Sequence, residues 1–160
     1  MTQRTLFHAL GVFIIFTCAL VALMAWPEER TRLRLVHLPS GDQLLVTEAD
    51  SPMTRAKGLS GIDVMTGDGM LLAWRDPDVH PIWMHDMQFP IDAIWCDHTG
   101  MILGIHRNLT PCSNPLVCPL YGQEYPYTSY VLELPAHGAA QYELRPGDRL
   151  LFSDLPGGAR

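Results

Sequence analysis

The sequence predicts a mainly β (α+β) domain, an antiparallel β-barrel or sandwich with two short helices, preceded by one N-terminal transmembrane helix or signal. Two observations predict this class. Apolar and polar residues alternate over several short runs, as they do in strands that bury one face. Turn residues separate these runs, since the 160-residue chain has 13 glycines and 13 prolines. With 48% hydrophobic residues, the chain is also apolar enough to build a core.

Eight short runs are typical of strands. The first alternates leucine with arginine, and the turn at residues 39–42 leads it back into the second, which predicts a hairpin. A long loop is expected over residues 108–128. The predicted strands are residues 31–38, 43–47, 70–74, 82–84, 91–96, 101–106, 130–134 and 150–153.

Two short helices are predicted between these strands. Ser51 can cap a helix that begins at Pro52, because a serine oxygen accepts a hydrogen bond from the first turn and proline suits the first helical position. Gly58 indicates that this helix ends early. The second helix is predicted over residues 136–144.

The charge balance excludes some functions. The net charge is -6 at pH 7, so no basic surplus exists to neutralise phosphates, and we expect no nucleic-acid partner. The sequence contains no glycine-rich phosphate loop and no dinucleotide-binding fingerprint. We therefore expect no cofactor.

An uncharged run occupies residues 9–26. A helix of this length reaches about 27 Å, just enough for a bilayer core. An uncleaved anchor is favoured over a cleaved signal peptide, because the run is long and the best cleavage site, after Ala25, has Leu23 where a small residue is expected. The chain then divides into a short N-terminal tail, the transmembrane anchor or uncleaved signal, a linker and the β-rich domain, at residues 1–8, 9–26, 27–30 and 31–160.

The sequence around this run favours a domain that lies outside the cytoplasm. Three arginines follow the run and only Arg4 precedes it. Taken literally, the positive-inside rule would keep the domain in the cytoplasm. Arg32 and Arg34 alternate with leucines as in a folded strand, so they carry less weight in predicting the orientation across the membrane. A short tail followed at once by an apolar run is typical of export. We expect a bacterial inner-membrane protein whose domain faces the periplasm, or else a protein secreted to the periplasm after signal cleavage.

Cysteine usage favours the same location. Cys112 and Cys118 lie in a loop between prolines, and a pair this close can form a disulfide, which persists in an oxidising compartment. A zinc site is one alternative, but zinc is usually bound by four ligands and the sequence has no second cysteine pair at the usual spacing. The other alternative is that both cysteines are free thiols. Cys96 lies in a strand-like run without the context of an activated thiolate, so we expect it to be buried and inert.

Five motifs occur in a fixed order along the body. They are RAKGLSG (55–61), GMLLAW (69–74), IWMHDMQFPIDAIWCDHTGMI (82–102), YVLELP (130–135) and PGDRL (146–150). Their order resembles the DUF192 (UPF0127) family of uncharacterised proteins over about residues 44–152. The resemblance implies a compact β-rich domain that is often exported or membrane-anchored; no general biochemical activity is established for the family. His85, Asp86 and Met87 stand where the family pattern has Lys, Asn and Thr, so an activity that needs the asparagine amide is not expected.

Carboxylates form the first candidate site. Pro90 marks a bend or an edge, because proline cannot donate to a strand ladder. Such a bend turns Trp83, Asp86 and Asp92 toward one concavity, and Glu133, between two leucines of a strand, points outward or into a mouth of the domain. Gathered acids can bind a ligand or act as the acid and base of a hydrolase or lyase. Alternatively, Asp92 caps backbone amides and Glu133 pairs with an arginine.

A copper site is the second candidate. Imidazole and thioether groups suit Cu(I), and His80, His85 and Met87 lie within eight residues. His85 and Met87 are two apart and would share a face of a strand. The alternative is a solvent-facing histidine beside a methionine that packs in the core. Ser60 in GLSG does not match the serine-nucleophile motif.

These observations favour an envelope-located, non-catalytic binding or accessory module. Its pocket is expected near Trp83, Asp86, Asp92 and Glu133, and its partners are the inner membrane through residues 9–26 and either a small ligand or a membrane-associated protein complex. The alternatives are a carboxylate-based hydrolase or lyase that uses the three acids, and a periplasmic Cu(I)-binding protein.

Overall fold

The computed structural model describes residues 32–63, 65 and 67–156. These residues cover almost all of the β-rich domain predicted at residues 31–160. The anchor or signal predicted at residues 9–26 lies outside them. Within the described ranges, no helix is both long enough and apolar enough to span a bilayer.

Nine strands and two short helices follow one another along the described residues. The strands are β1 (Arg32–His37), β2 (Gln43–Ala49), β3 (Gly69–Asp78), β4 (Ile82–Trp83), β5 (Ile91–Cys96), β6 (Ile102–Leu109), β7 (Leu120–Tyr121), β8 (Thr128–Pro135) and β9 (Leu151–Asp154). The helices are α1 (Pro52–Lys57), between β2 and β3, and α2 (Gly138–Gln141), between β8 and β9. The predicted mainly β class with two short helices is confirmed.

Seven strands form one sheet in the order β6-β5-β8-β3-β2-β1-β9, and β4 pairs with β7 as a separate ribbon. Neighbours in the sheet are antiparallel except β2 and β3, which are parallel because α1 connects them by a crossover. A bridge between Met101 and Arg149 links the two ends of the sheet at one point. In the part of the chain that the structure describes, β6 and β9 form no ladder, so the sheet is open and the barrel form of the prediction is wrong.

Two apolar cores lie on opposite faces of this sheet. The first core contains Ile94 and Leu132, and the second core contains Trp95 and Val131. These residues are neighbours in β5 and β8, and successive side chains of a strand point to opposite faces. The two central strands are therefore buried on both sides.

Two elements differ from the sequence prediction. The long loop over residues 108–128 contains β7, and a strand of two residues is too short to show any alternation. Helix α2 is shorter than the predicted span of residues 136–144. His137 and Glu143 have left-handed backbone, with φ of 70° and 54°, on either side of it, and this conformation does not continue a helix.

Cys112 and Cys118 form a disulfide, which confirms the predicted pairing. The loop that carries it is tied to the segment after β4, because the Cys112 N–H donates to the Met84 carbonyl at 2.9 Å. Cys96 is fully buried in the first core, as expected, and burial raises the pKa of its thiol. A thiol in this state is a poor nucleophile.

The turn after β7 generates a test of the packing. Gly122 has a φ of 85°, and a Cβ at this position would overlap the Trp95 indole. We expect Gly122→Ala to lower the free energy of unfolding by about 3 kcal/mol, because it combines overpacking with a left-handed backbone. Gly147→Ala is the control: its φ is 93° but its Cβ would meet nothing. Gly147→Ala should lower the free energy of unfolding, measured with urea, by about 1 kcal/mol. An equal loss of this free energy in the two variants would contradict the overlap with Trp95.

Candidate functional site

A pocket of about 370 Å³ lies between helix α1 and the sheet face that carries the second core. This volume falls in the range of small-molecule sites. Its lining comes from helix α1 and the residues after it, from β3 and β8, and from the segment around β4. The lining includes Arg55, Ala56, Lys57, Ile82, Trp83 and Glu133.

Glu133 is the acid of this pocket. It lies in β8 opposite Met70 of β3 and Ala93 of β5, so its side chain is on the face of the second core. The residue is only 5% exposed. Its Oε2 atom is buried and has no hydrogen-bond partner among the described residues. The arginine pairing considered for Glu133 is not formed.

Burial raises the pKa of Glu133 to about 8. The loss of hydration disfavours the carboxylate, and no neighbouring charge offsets this effect. Arg55 and Lys57 line the same pocket, but neither acts on this carboxyl. In the folded protein Glu133 is therefore mostly protonated at neutral pH.

Trp83 lies at the rim of the pocket. It is 44% exposed and pairs with Leu120 in the β4–β7 ribbon. Its ring is tilted against the ring of His85, with the centroids 5.1 Å apart. The structure thus brings two of the four predicted binding residues, Trp83 and Glu133, to one pocket.

Asp86 is exposed and does not line the pocket. Its φ of 57° turns the chain away after β4. Its N–H donates to the Cys112 carbonyl at 3.1 Å, and its carbonyl accepts from the Gly61 N–H at 2.8 Å. Asp86 therefore lies outside the pocket, contrary to the prediction from the sequence, and its backbone links the loops that contain Gly61 and Cys112.

Asp92 lies on the face of the sheet opposite to Glu133. It pairs with Leu134 of β8, which belongs to the first core, and it is fully buried. Its Oδ1 accepts from the Asn108 N–H at 2.8 Å, and its Oδ2 accepts from the Ala139 N–H at 3.0 Å. The expectation that Asp92 shares a concavity with Glu133 does not hold, because the strand alternation separates them. Asp92 caps backbone amides, the alternative interpretation of its role.

The three metal candidates do not converge. His80 stacks on Trp74 with ring centroids 4.2 Å apart, whereas Met87 is buried in the second core. The turn at Asp86 ends any strand, so His85 and Met87 do not share a strand face. No group of three or more His, Cys, Asp or Glu side chains that could hold a metal occurs among the described residues.

Sequence reasoning missed Arg55 and Trp74, which both line the pocket. The Arg55 guanidinium carbon lies 5.2 Å from the centroid of the Trp74 ring, a cation–π contact. Its Nη1 donates to the Ala73 carbonyl at 2.8 Å and also to the Asp50 carbonyl. Both residues belong to motifs that carry the family resemblance, RAKGLSG and GMLLAW, and this was the available signal.

Comparison with known proteins identifies the family. The model of the DUF192 family, described as "Uncharacterized ACR", matches residues 36–152. The chain belongs to the DUF192 family, which confirms the resemblance. No curated protein matches the chain.

Two solved structures share this fold. One, from Sinorhizobium meliloti 1021, is described as a "putative transcription regulator"; it is 28% identical, with a TM-score of 0.65, over 77% of this chain and 94% of its own. The other, from Novosphingobium aromaticivorans DSM 12444, is described as a protein of unknown function. It is 26% identical, with a TM-score of 0.60, over 74% of this chain and 83% of its own.

The buried carboxyl predicts how stability depends on pH. Glu133 ionises near 4.5 when unfolded and near 8 when folded, so the folded state holds a proton that the unfolded state has lost between these values. In this window, Glu133 should make the free energy of unfolding fall by about 1.4 kcal/mol per pH unit as the pH rises. Glu133→Gln should remove this contribution, measured by urea unfolding from pH 4.5 to above 8. The same slope in both proteins would contradict the burial account.

Proposed function

We propose that this DUF192 domain is a non-catalytic binding module that takes one small molecule in the Glu133 pocket. The observation that carries the proposal is the Oε2 atom of Glu133, buried without a hydrogen-bond partner among the described residues, at a pocket of about 370 Å³. A buried polar group without a partner costs free energy, and a ligand that supplies the partner removes that cost. A ligand that donates a hydrogen bond to this oxygen therefore gains binding free energy.

The chemistry around Glu133 favours binding over catalysis. A carboxylate-based hydrolase or lyase would need a second acid or base beside it. The described residues that line the pocket include no second carboxylate and no histidine. Ser60 lines the pocket, but its hydroxyl donates to the His85 carbonyl at 2.9 Å. The net charge of -6 leaves no basic surplus for contacts with DNA, so the proposed function is not the transcription regulation suggested for the Sinorhizobium protein.

The proposal places the domain in the bacterial envelope, outside the cytoplasm. Two features support this location. Residues 9–26 carry no charge over a length that suits an anchor or an export signal. The disulfide between Cys112 and Cys118 is of a kind that persists in oxidising compartments. In this proposal the membrane holds the domain close to the molecules that reach the envelope.

A blocked pocket tests the binding function. Ala56 is exposed on α1 and lines the pocket, so Ala56→Trp should fill its mouth without disturbing a core. Ligand-observed NMR with a set of cationic, neutral and anionic fragments should detect saturable binding to the full chain in detergent. Ala56→Trp should abolish that binding.

Met53→Trp is the matched control, because Met53 is 75% exposed on the same helix and does not line the pocket. This variant should bind fragments as the unchanged protein does. Absence of saturable binding, or equal binding to both tryptophan variants, would sink the proposed function.

Labelling of intact cells tests the location. In a full chain that carries Cys18→Ser, a membrane-impermeant thiol reagent should give no label at first, because Cys112 and Cys118 are joined and Cys96 is buried. After treatment with an impermeant reductant, label should appear on both loop cysteines. A variant with serine at these two positions should stay unlabelled throughout. Reduced loop cysteines that stay shielded from the outside would contradict an envelope location.

A further inference from the structure

The charged groups of the Glu133 pocket come from two elements, the sheet and helix α1. Glu133 lies on the sheet and is buried, whereas Arg55 and Lys57 lie on helix α1, half-buried and exposed respectively. Among the described residues that line the pocket, these three are the charged ones. Most other lining side chains are apolar, including Ile82 and Trp83. The pocket therefore offers one acid, two cations and an apolar surface.

We propose that the ligand is a small zwitterion, with an ammonium group that pairs with Glu133 and an acidic group directed toward Arg55 and Lys57. An apolar spacer joins the two charged ends. The chemical class is that of amino acids and related amines that carry a carboxylate. This inference rests on the proposed function, because it names the kind of molecule that the binding module takes.

The ammonium end follows from the state of Glu133. Its Oε2 has no partner among the described residues, and no protein cation compensates a charge on it. An ammonium group supplies both a hydrogen-bond donor and the missing positive charge, and such charge-assisted bonds are stronger than neutral ones. Trp83, 44% exposed at the rim, presents an aromatic ring, to which cations are attracted.

The acidic end follows from the two cations on α1. The guanidinium of Arg55 contacts Trp74, and its Nη1 donates to the carbonyls of Asp50 and Ala73, but its other nitrogens make no hydrogen bond to the described residues. Lys57 forms no ion pair with the described part of the chain. These positive groups can pair with a carboxylate on the same ligand, and a simple amine lacks that attraction.

Proton release gives the proposal a second observable. Burial raises the pKa of Glu133 to about 8, so near neutral pH the carboxyl must release its proton to the buffer when an ammonium group pairs with it. Its strand neighbours Met70 and Ala93 do not titrate, and Arg55 and Lys57 are the charged groups that face the pocket. Affinity should therefore weaken by about tenfold per pH unit as the pH falls below 8.

Calorimetry with four probes of one length tests the class. The full chain in detergent is titrated with 6-aminohexanoate, hexylamine, hexanoate and hexanol. We expect 6-aminohexanoate to bind tightest, hexylamine about tenfold more weakly, and the other two more weakly still. Equal affinity for all four, or tightest binding of hexanoate or hexanol, would overturn the ammonium end. Hexylamine binding as tightly as 6-aminohexanoate would overturn the acidic end.

Two variants locate the charged ends. Glu133→Gln should weaken both amines by at least about tenfold, leave hexanol unchanged and abolish the proton release measured in two buffers. Lys57→Met, at an exposed position, should weaken 6-aminohexanoate but not hexylamine. Unchanged affinity of 6-aminohexanoate for Glu133→Gln, or an equal effect of Lys57→Met on both amines, would overturn the corresponding end.

Failure of this inference differs from failure of the proposed function. If neutral or anionic fragments bind and Ala56→Trp blocks them, while neither amine binds, the binding module stands and the zwitterion class falls. If Ala56→Trp affects no fragment at all, both fall.

Discussion

Strand β8 pairs with β5 in a register that sets Glu133 opposite Ala93 and Asp92 opposite Leu134. Because neighbouring residues of a strand point to opposite faces, a slip of one residue would move Glu133 out of the pocket and into the first core. Both faces of β8 are buried, so apolar residues on each side hold this register. The position of the pocket carboxyl depends on this pairing.

The two buried acids show how environment separates roles that residue type does not. Asp92 receives hydrogen bonds from two backbone amides, which link β5 to the end of β6 and to α2. Each of its two oxygens accepts a hydrogen bond within the fold, and its role is structural. Glu133 lies on the opposite face without such partners, and its interaction capacity remains for a ligand. Glu133 indicates a binding site because it is buried and one of its oxygens lacks a hydrogen-bond partner among the described residues.

Much of the fold was predictable from sequence, and the site was only partly so. Alternation or an apolar run between turn residues marked the long strands, and the spacing of Cys112 and Cys118 indicated their disulfide. Alternation also showed that Glu133 points away from its neighbouring leucines, but a single strand does not reveal which strand it pairs with or in which register. The bend expected at Pro90 therefore grouped Asp92 with Glu133, and the sequence did not reveal Arg55 because its place in the pocket depends on the crossover between β2 and β3.

Helix α1 forms one wall of the pocket without burying any of its own residues. Reciprocal hydrogen bonds between Ser51 and Thr54, of 3.1 and 3.0 Å, fix its start, and Gly58 ends it after six residues. A segment with few buried contacts opens locally at a lower free energy than a sheet with two cores unfolds. Of the elements that line the pocket, helix α1 is therefore expected to open at the lowest free energy, while the paired central strands keep their hydrogen bonds.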